Sequence, residues 1–317
     1  MPSRRDFLTR TTLVAAGLAL GACRRGREAG PASGPVQPTR PSAAPLLTRT
    51  IPSTGEAIPV IGMGTSGSFE VSAGTPEYDA LEEVLKVFFD GGGRLIDTSP
   101  NYGSAESVLG ELLARGGHRE RCFLATKIAA DDLATAKAQW AESLGRLRTD
   151  RVELLQVHNL RAWETQLPYA RELKAQGKTK YIGLTHFRES SHAELERIVR
   201  AQKPDFLQIN YSVASPQAAR SLFPMAQELG VAVLVNRAFE DGKLFAQVAN
   251  RPLPGWAAEA GVDSWAQLFL KFAISHPAVT AVIPATGKPN RQADNLGGGT
   301  GPLLTEAQQA ELTAMFQ

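Results

Sequence analysis

The sequence predicts an α/β fold, a (β/α)8 barrel of the TIM type with an N-terminal β-hairpin cap. Eight short apolar segments rich in β-branched residues recur along the chain after residue 46. Segments with helical periodicity separate them, and buried strands that alternate with amphipathic helices are typical of a parallel sheet covered by helices. A length of 317 residues allows one large barrel or two average domains, so this alternation decides for the barrel.

The hairpin is the first element. Two short extended segments flank the tripeptide Ser53-Thr54-Gly55, which has the composition of a tight turn between strands. Because this pair precedes the first barrel strand, we expect it to cap one end of the barrel.

The eight predicted strands follow at residues 59–65, 94–99, 123–128, 152–158, 181–186, 206–212, 231–236 and 279–284. Between the first two, apolar residues recur at spacings of three and four from Tyr78 to Phe88, and Gly91 stands where a helix would end. A doubly wound sheet is the alternative, since residues 62–67 read GMGTSG. That segment lacks the spacing of a dinucleotide-binding fingerprint, so the barrel is favoured.

Residues 1–23 have the features of an export signal. Arg4 and Arg5 lie in the sequence SRRDFL, and a weakly apolar run rich in Ala and Gly follows. The pattern resembles a twin-arginine (Tat) signal peptide, which implies recognition by the Tat machinery and a periplasmic or other extracytoplasmic location. A disordered basic tail is the alternative.

Cys23 closes the sequence Leu-Gly-Ala-Cys, which is similar to a lipobox, so a lipoprotein anchored to the membrane through Cys23 is a second expectation. Residues 24–45 are rich in Pro, Gly, Ser, Ala and Arg without apolar periodicity, which is the composition of a disordered linker. The barrel domain is therefore expected over residues 46–317.

Composition limits the classes of function. Hydrophobic residues make up 43% and charged residues 21% of the chain, which excludes a largely disordered protein and a multi-span membrane protein. The net charge of +2 gives no field for binding nucleic acid, so no nucleic-acid partner is expected. Two cysteines offer no disulfide framework. We expect a monomer that acts on a small molecule.

Four polar side chains stand where apolar strands end. Asp97 ends the second strand and Tyr102 follows it, while Lys127 ends the third strand and His158 the fourth. Each has an ordinary explanation by itself, such as a capped turn or a satisfied core histidine. In a barrel, however, all four would meet at the carboxyl ends of the strands, where active sites lie. Together they suit addition to a carbonyl group, which requires a proton donor and stabilisation of the oxygen.

The stretch GGGRLIDTSPNYGSAESVLGELL, followed by ATK and LLQVH, resembles the aldo/keto reductase family in this order of motifs. The resemblance covers nearly the whole chain after Leu47. It implies an oxidoreductase that reduces an aldehyde or ketone to an alcohol with a nicotinamide cofactor. Tyr102 would donate the proton with the help of Asp97 and Lys127, and His158 would orient the carbonyl oxygen.

The same resemblance assigns cofactor residues to the segment 284–296. It implies contacts from Pro284, a phosphate contact from Thr286, cationic contacts from Lys288 and Arg291, and an adenine contact from Asn295. Two cations at this point favour NADP (NADPH) over NAD, because a 2′-phosphate would give them a partner.

The nicotinamide side departs from the family pattern. Gln208 matches the position that binds the carboxamide, and Thr185 and His186 stand where the family usually has Ser and Asn. Asn236 and Arg237 replace an aromatic residue and a Ser after the seventh strand. We expect all five to contact the cofactor, with Arg237 directed at the pyrophosphate.

Two alternatives to this enzyme remain at this stage. One is an exported sensor or accessory protein that binds the cofactor with little turnover on the same fold. The other is a metal-dependent hydrolase, for which the five scattered histidines lack ligand spacing, so no metal is expected. The substrate depends on loops at 65–76, 160–166 and 239–256. A short helix after Thr305, in place of a long tail, predicts an open pocket.

Overall fold

The computed structural model describes residues 44–317. The predicted signal peptide, Cys23 and all but the last two residues of the predicted linker lie outside the described residues. The strands of the described part are β1 (Thr48–Thr50), β2 (Ala57–Pro59), β3 (Met63–Gly64), β4 (Leu95–Asp97), β5 (Phe123–Ile128), β6 (Val152–Val157), β7 (Thr179–Thr185), β8 (Phe206–Asn210), β9 (Ala232–Asn236) and β10 (Val279–Val282).

The sheet formed by β3 to β10 is the predicted barrel. Its eight strands pair in chain order and every pair is parallel. Parallel bridges between Ile61 and Val282 and between Gly64 and Ala285 join the first strand to the last. The (β/α)8 barrel is therefore confirmed, and a doubly wound open sheet is excluded.

Helices cover the outside of the barrel. They are α1 (Pro76–Asp90), α2 (Ala105–Arg115), α3 (Leu133–Arg146), α4 (Trp163–Ala175), α5 (His192–Gln202), α6 (Leu222–Leu229), α7 (Lys243–Gln247), α8 (Trp265–Ser275), α9 (Pro289–Gly297) and α10 (Glu306–Met315). The predicted helix ending at Gly91 is α1, and the Thr75 side chain accepts a hydrogen bond from the Tyr78 N–H at its start. The predicted short helix after Thr305 is α10, which begins with a capping box.

The strands β1 and β2 form the predicted hairpin, pair antiparallel and contribute to the barrel interior. Ile51 and Ile58 are fully buried in one cluster with side chains from inside the barrel, among them Phe123, Tyr181 and Phe206. The Tyr181 hydroxyl lies 2.6 Å from the Thr54 hydroxyl in the turn of the hairpin. The hairpin thus packs against the interior side chains near the amino ends of the strands, which leaves the carboxyl ends for a site.

Within residues 44–317, none of the helices combines the length and apolar character that a membrane crossing requires.

Candidate active site

A cavity of about 1090 Å³ lies at the carboxyl ends of the strands. Asp97, the last residue of β4, lines it together with Tyr102 from the loop before α2 and His158, which directly follows β6. Lys127, near the end of β5, contacts this group from within the barrel. The structure therefore brings the four predicted residues together at one end of the barrel.

Lys127 and Asp97 form an ion pair in the barrel interior. The ammonium donates to Asp97 Oδ1, and it also donates to the backbone carbonyl oxygen of Thr98 at 2.9 Å. Each of the two charged residues has only 2% of its surface exposed. Burial by itself lowers the pKa of Lys127, but the Asp97 carboxylate and the Tyr102 hydroxyl outweigh burial and raise it above its ordinary value. Lys127 is therefore a permanent cation beside Tyr102.

The second oxygen of Asp97 is held by two glutamines. Gln156 Nε2 and Gln208 Nε2 each donate to Asp97 Oδ2 at 2.9 Å. Gln208 Nε2 also lies 3.2 Å from Gln156 Oε1, and both glutamines are buried. Because a buried carboxylate is stable only when its lone pairs are satisfied, this network fixes the orientation of Asp97.

Tyr102 packs between the cation and the imidazole. The Lys127 ammonium lies 5.0 Å from the centroid of its ring. The ring of His158 meets it edge to face, with 5.8 Å between the centroids and an interplanar angle of 89°. Tyr102 is only partly buried and lines the cavity, so its hydroxyl is available to a ligand while the ring is held by its neighbours.

His158 is a neutral imidazole at physiological pH. Burial, followed by the positive charge of Lys127, lowers the pKa of His158 to about 3. The Ser99 hydroxyl lies 3.1 Å from Nδ1, so Nε2 is the ring nitrogen that is left for a ligand in the cavity. A neutral histidine in this position serves to donate or accept a hydrogen bond, and it carries no charge to the site.

The predicted phosphate-binding residues lie at the other end of the same cavity. Pro284, Thr286, Lys288 and Arg291 line it where β10 leads into α9. Lys288 is the N-cap residue of α9 and its side chain makes no capping bond, so the first turn of the helix offers unpaired N–H groups. Asn295 is buried further along α9 and does not line the cavity.

The predicted nicotinamide residues divide into two groups. Thr185, Gln208, Asn236 and Arg237 line the cavity at the ends of β7, β8 and β9. His186 does not line it. Its Nδ1 accepts the backbone N–H groups of Phe187 and Arg188, and its Nε2 lies 3.0 Å from the Ser191 hydroxyl. The imidazole of His186 therefore stabilises its own loop.

Arg237 begins a tightly wound loop beside the cavity. Three non-glycine residues of this loop have positive φ angles, in a region that residues other than glycine seldom adopt. The angles are 54°, 49° and 55° at Arg237, Glu240 and Asp241. The Arg237 guanidinium pairs with Asp241 and lies 5.1 Å from the centroid of the Phe187 ring. Its Nε is buried without a hydrogen-bond partner among the described residues, and the same holds for Asn236 Oδ1.

Four of the residues whose contacts are described above are absent from the sequence-based prediction. They are Ser99, Gln156, Phe187 and Asp241. Gln156 carried a signal, since it is an amide within the otherwise apolar end of a buried strand. Phe187 and Asp241 lie in loops, where composition does not indicate direction. Among residues 44–317, no cluster of His, Cys, Asp and Glu has a geometry suited to a metal ion.

Comparison with solved structures finds the same fold in aldo/keto reductases. An enzyme from Klebsiella pneumoniae, crystallised with NADP and acetate, is 24% identical with a TM-score of 0.70, over 83% of this chain and 93% of that one. An aldo/keto reductase from Brucella melitensis is 25% identical with a TM-score of 0.67, over 85% of this chain and 99% of that one.

Curated proteins match over a shorter range. An aldo-keto reductase from Bacillus subtilis is 27% identical over 201 residues, which are 59% of this chain and 60% of the relative. One from Strobilurus tenacellus is 31% identical over 222 residues, 64% of each chain. The chain thus spans less than two thirds of these relatives. The sequence pattern of the aldo/keto reductase family matches residues 60–315, which include the whole barrel from β3 to β10. The chain belongs to the aldo/keto reductase family.

Proposed function

We propose that the protein is an NADP-dependent oxidoreductase that reduces an aldehyde or ketone to the alcohol, with Tyr102 as the proton donor. One observation carries the proposal. The buried ion pair of Lys127 and Asp97 lies beside the Tyr102 ring, on the cavity that His158 also lines. A proton donor, a fixed cation and a neutral hydrogen-bonding imidazole are the groups that carbonyl reduction requires.

In this proposal each residue has one task. When bound, the cofactor supplies a hydride to the carbonyl carbon. Tyr102 gives its phenolic proton to the carbonyl oxygen, and the adjacent Lys127 ammonium stabilises the phenolate that remains. His158 donates a hydrogen bond from Nε2 to the same oxygen and orients the substrate, while the Ser99 hydroxyl donates to Nδ1. Asp97 keeps Lys127 in place.

The cavity suits a dinucleotide phosphate. It reaches from the catalytic residues to the start of α9, where unpaired N–H groups and the exposed Lys288 and Arg291 favour a phosphate. At the catalytic end, Asn236 Oδ1 and Arg237 Nε lack partners within residues 44–317 and would gain them from a polar ligand. The Klebsiella relative of the same fold is described with NADP, which agrees with this choice. Thr185, Gln208 and Pro284 complete the cofactor side of the proposal, and Arg237 would contact the pyrophosphate.

We further propose that the enzyme acts outside the cytoplasm as a monomer. The sequence SRRDFL supports export by the Tat machinery, and Cys23 supports a lipid anchor. Tat transport carries folded proteins, so the cofactor would be bound before export. This location would make the supply of reduced cofactor the limit on turnover. Detection of lipid on Cys23 by mass spectrometry of the membrane fraction tests the anchor.

The experiment that tests the activity uses the full chain. NADPH binding is measured by fluorescence titration, and NADPH oxidation is then followed with a panel of aldehydes and ketones. We expect binding and turnover in the wild type, and in Tyr102→Phe unchanged binding with turnover lowered at least a thousandfold. Wild-type turnover in that variant would refute the role of Tyr102. Binding without turnover across the panel would favour a cofactor sensor, which the comparisons do not support.

A further inference from the structure

The side-chain amide of Asn236 has a fixed orientation at the cavity wall. Its Nδ2 donates to the backbone carbonyl oxygen of His186 at 3.1 Å and lies 3.4 Å from Gln208 Oε1. Two oxygens around one end of the amide identify that end as the nitrogen. Oδ1 is therefore the other atom. It is buried and has no partner among the described residues, while Asn236 itself lines the cavity.

The neighbouring polar groups do not satisfy this oxygen in the structure. Gln208 Nε2 donates one hydrogen to Asp97 Oδ2, and its other lies toward Gln156 Oε1. An amide nitrogen has two hydrogens, so Gln208 has none left for a ligand. The Thr185 hydroxyl oxygen accepts the backbone N–H of Asn159. The imidazole of His186 is bound within its own loop. Asn236 Oδ1 is consequently an acceptor that no side chain among the described residues satisfies.

We infer that Asn236 Oδ1 binds the carboxamide of the nicotinamide by accepting a hydrogen bond from its NH2 group. The inference rests on the proposed function, because it takes NADP as the occupant of the cavity. A buried acceptor without a partner is costly, so a ligand donor that reaches it is favoured by recovery of that cost. Within reach of the catalytic end, the primary amide is the uncharged N–H donor that the cofactor carries. In this arrangement the Gln208 amide mainly orients Asp97, and Asn236 binds the cofactor carboxamide.

The test compares two nucleotides that differ at this group. NADP carries a primary amide, and its 3-acetylpyridine analogue has a methyl group in place of the NH2 while the carbonyl is retained. Dissociation constants of both are measured by calorimetry with the wild type and with Asn236→Leu, whose side chain is of similar size but accepts no hydrogen bond. This readout does not depend on turnover.

We expect the wild type to bind NADP about fivefold more tightly than the analogue, which is the effect of one hydrogen bond. In Asn236→Leu the affinity for NADP should fall to that for the analogue, so that the preference disappears. Unchanged binding of the analogue by the variant shows that the cavity is intact. If Asn236→Leu is poorly folded, Asn236→Ala serves the same purpose with the same expectation.

Gln217→Ala is the matched control, because Gln217 Oε1 is also buried without a partner in the described part of the chain but Gln217 does not line the cavity. It should retain the wild-type preference. A preference that persists in both Asn236 variants, or one that is absent from the wild type, overturns the inference and leaves the proposed function intact. Failure of the wild type to bind either nucleotide refutes the proposed function itself.

Discussion

The Ser99 hydroxyl lies 3.1 Å from Nδ1 of His158, within a pocket where burial and the charge of Lys127 disfavour the imidazolium. The pKa of His158 is lowered to about 3, so the folded protein binds no proton there at pH values where the unfolded chain does. Keeping the His158 ring neutral therefore lowers the stability of the folded protein only at acidic pH, where the unfolded chain is protonated.

The first prediction follows from the sign of this difference. As the pH falls below about 6.5, the unfolded state gains a proton that the folded state does not take up, so stability falls with decreasing pH. Between pH 7.5 and pH 5.5 the free energy of unfolding of the wild type should fall by about 1.4 kcal/mol more than that of His158→Gln. Urea unfolding at both pH values measures this.

Other histidines do not obscure that comparison. His118, His186 and His276 also have pKa values lowered by burial, but they are present in both proteins and their effects cancel in the difference. An equal loss of stability in the wild type and His158→Gln between the two pH values would contradict the assignment of a neutral, buried His158.

The second prediction concerns the ion pair of Lys127 and Asp97. Lys127→Met leaves the Asp97 carboxylate buried with only the two glutamine donors, and we expect a loss of about 3–5 kcal/mol in the free energy of unfolding. In the double variant Asp97→Asn/Lys127→Met neither buried charge remains, and the new side-chain amide oxygen at position 97 still accepts hydrogen bonds from the two glutamines. This double variant should be more stable than Lys127→Met alone.

The measurement is a double-mutant cycle in urea, with both single variants and the double variant at pH 7.5. On the proposed function all three should lack carbonyl reduction, since each removes part of the proposed catalytic group. Strictly additive losses of stability would show that the two charges do not interact, contrary to their contact in the structure.

The third prediction concerns Arg237, whose guanidinium is shared between Asp241 and the cavity. If it contacts the pyrophosphate, Arg237→Ala should weaken NADP binding about tenfold or more, since hydrogen bonds to charged groups are worth about 1.5–3 kcal/mol. Asp241→Asn removes a competitor of the phosphate and should strengthen NADP binding up to about fivefold, because exposed ion pairs are worth no more than about 1 kcal/mol.

Opposite changes in the two variants are the decisive result, measured as dissociation constants for NADP at low and moderate salt. Unchanged affinity in Arg237→Ala, or weaker binding in Asp241→Asn, would place the guanidinium away from the phosphates. Arg220→Ala, an exposed arginine that does not line the cavity, controls for the loss of one positive charge.

The sequence predicts the barrel and the position of four polar residues at the carboxyl ends of its strands, for a physical reason. Parallel strands with buried faces read as apolar runs, and the residue that ends such a run must lie at the carboxyl edge of the sheet, as Asp97 and His158 do. The hydrogen-bond partners that these residues find across the barrel cannot be predicted from any local sequence pattern. Gln208 binds Asp97, 111 residues away, and this contact exists only once the five strands from β4 to β8 have paired.

Loop residues show the other limit of sequence reasoning. His186, predicted as the last residue of its strand, directly follows β7, and three local hydrogen bonds hold its ring within the loop. The direction of a side chain after a strand depends on loop φ and ψ angles, which composition does not specify. For the same reason Phe187, the next residue, lines the cavity although nothing in the sequence singles it out.

The last prediction tests the choice of NADP over NAD. Lys288 and Arg291 are exposed at the first turn of α9 and line the cavity, and neither has an acidic partner among the described residues. Because a phosphate would provide that partner, Lys288→Ala/Arg291→Ala should bind NADP at least tenfold more weakly and bind NAD as the wild type does. The preference of the wild type should also decline as salt increases, since exposed charges are screened. Both are measured as ratios of dissociation constants, with Arg220→Ala as the control for net charge. Equal losses for NADP and NAD would mean that these cations act on a phosphate common to both nucleotides, and the assignment to the 2′-phosphate would then be wrong.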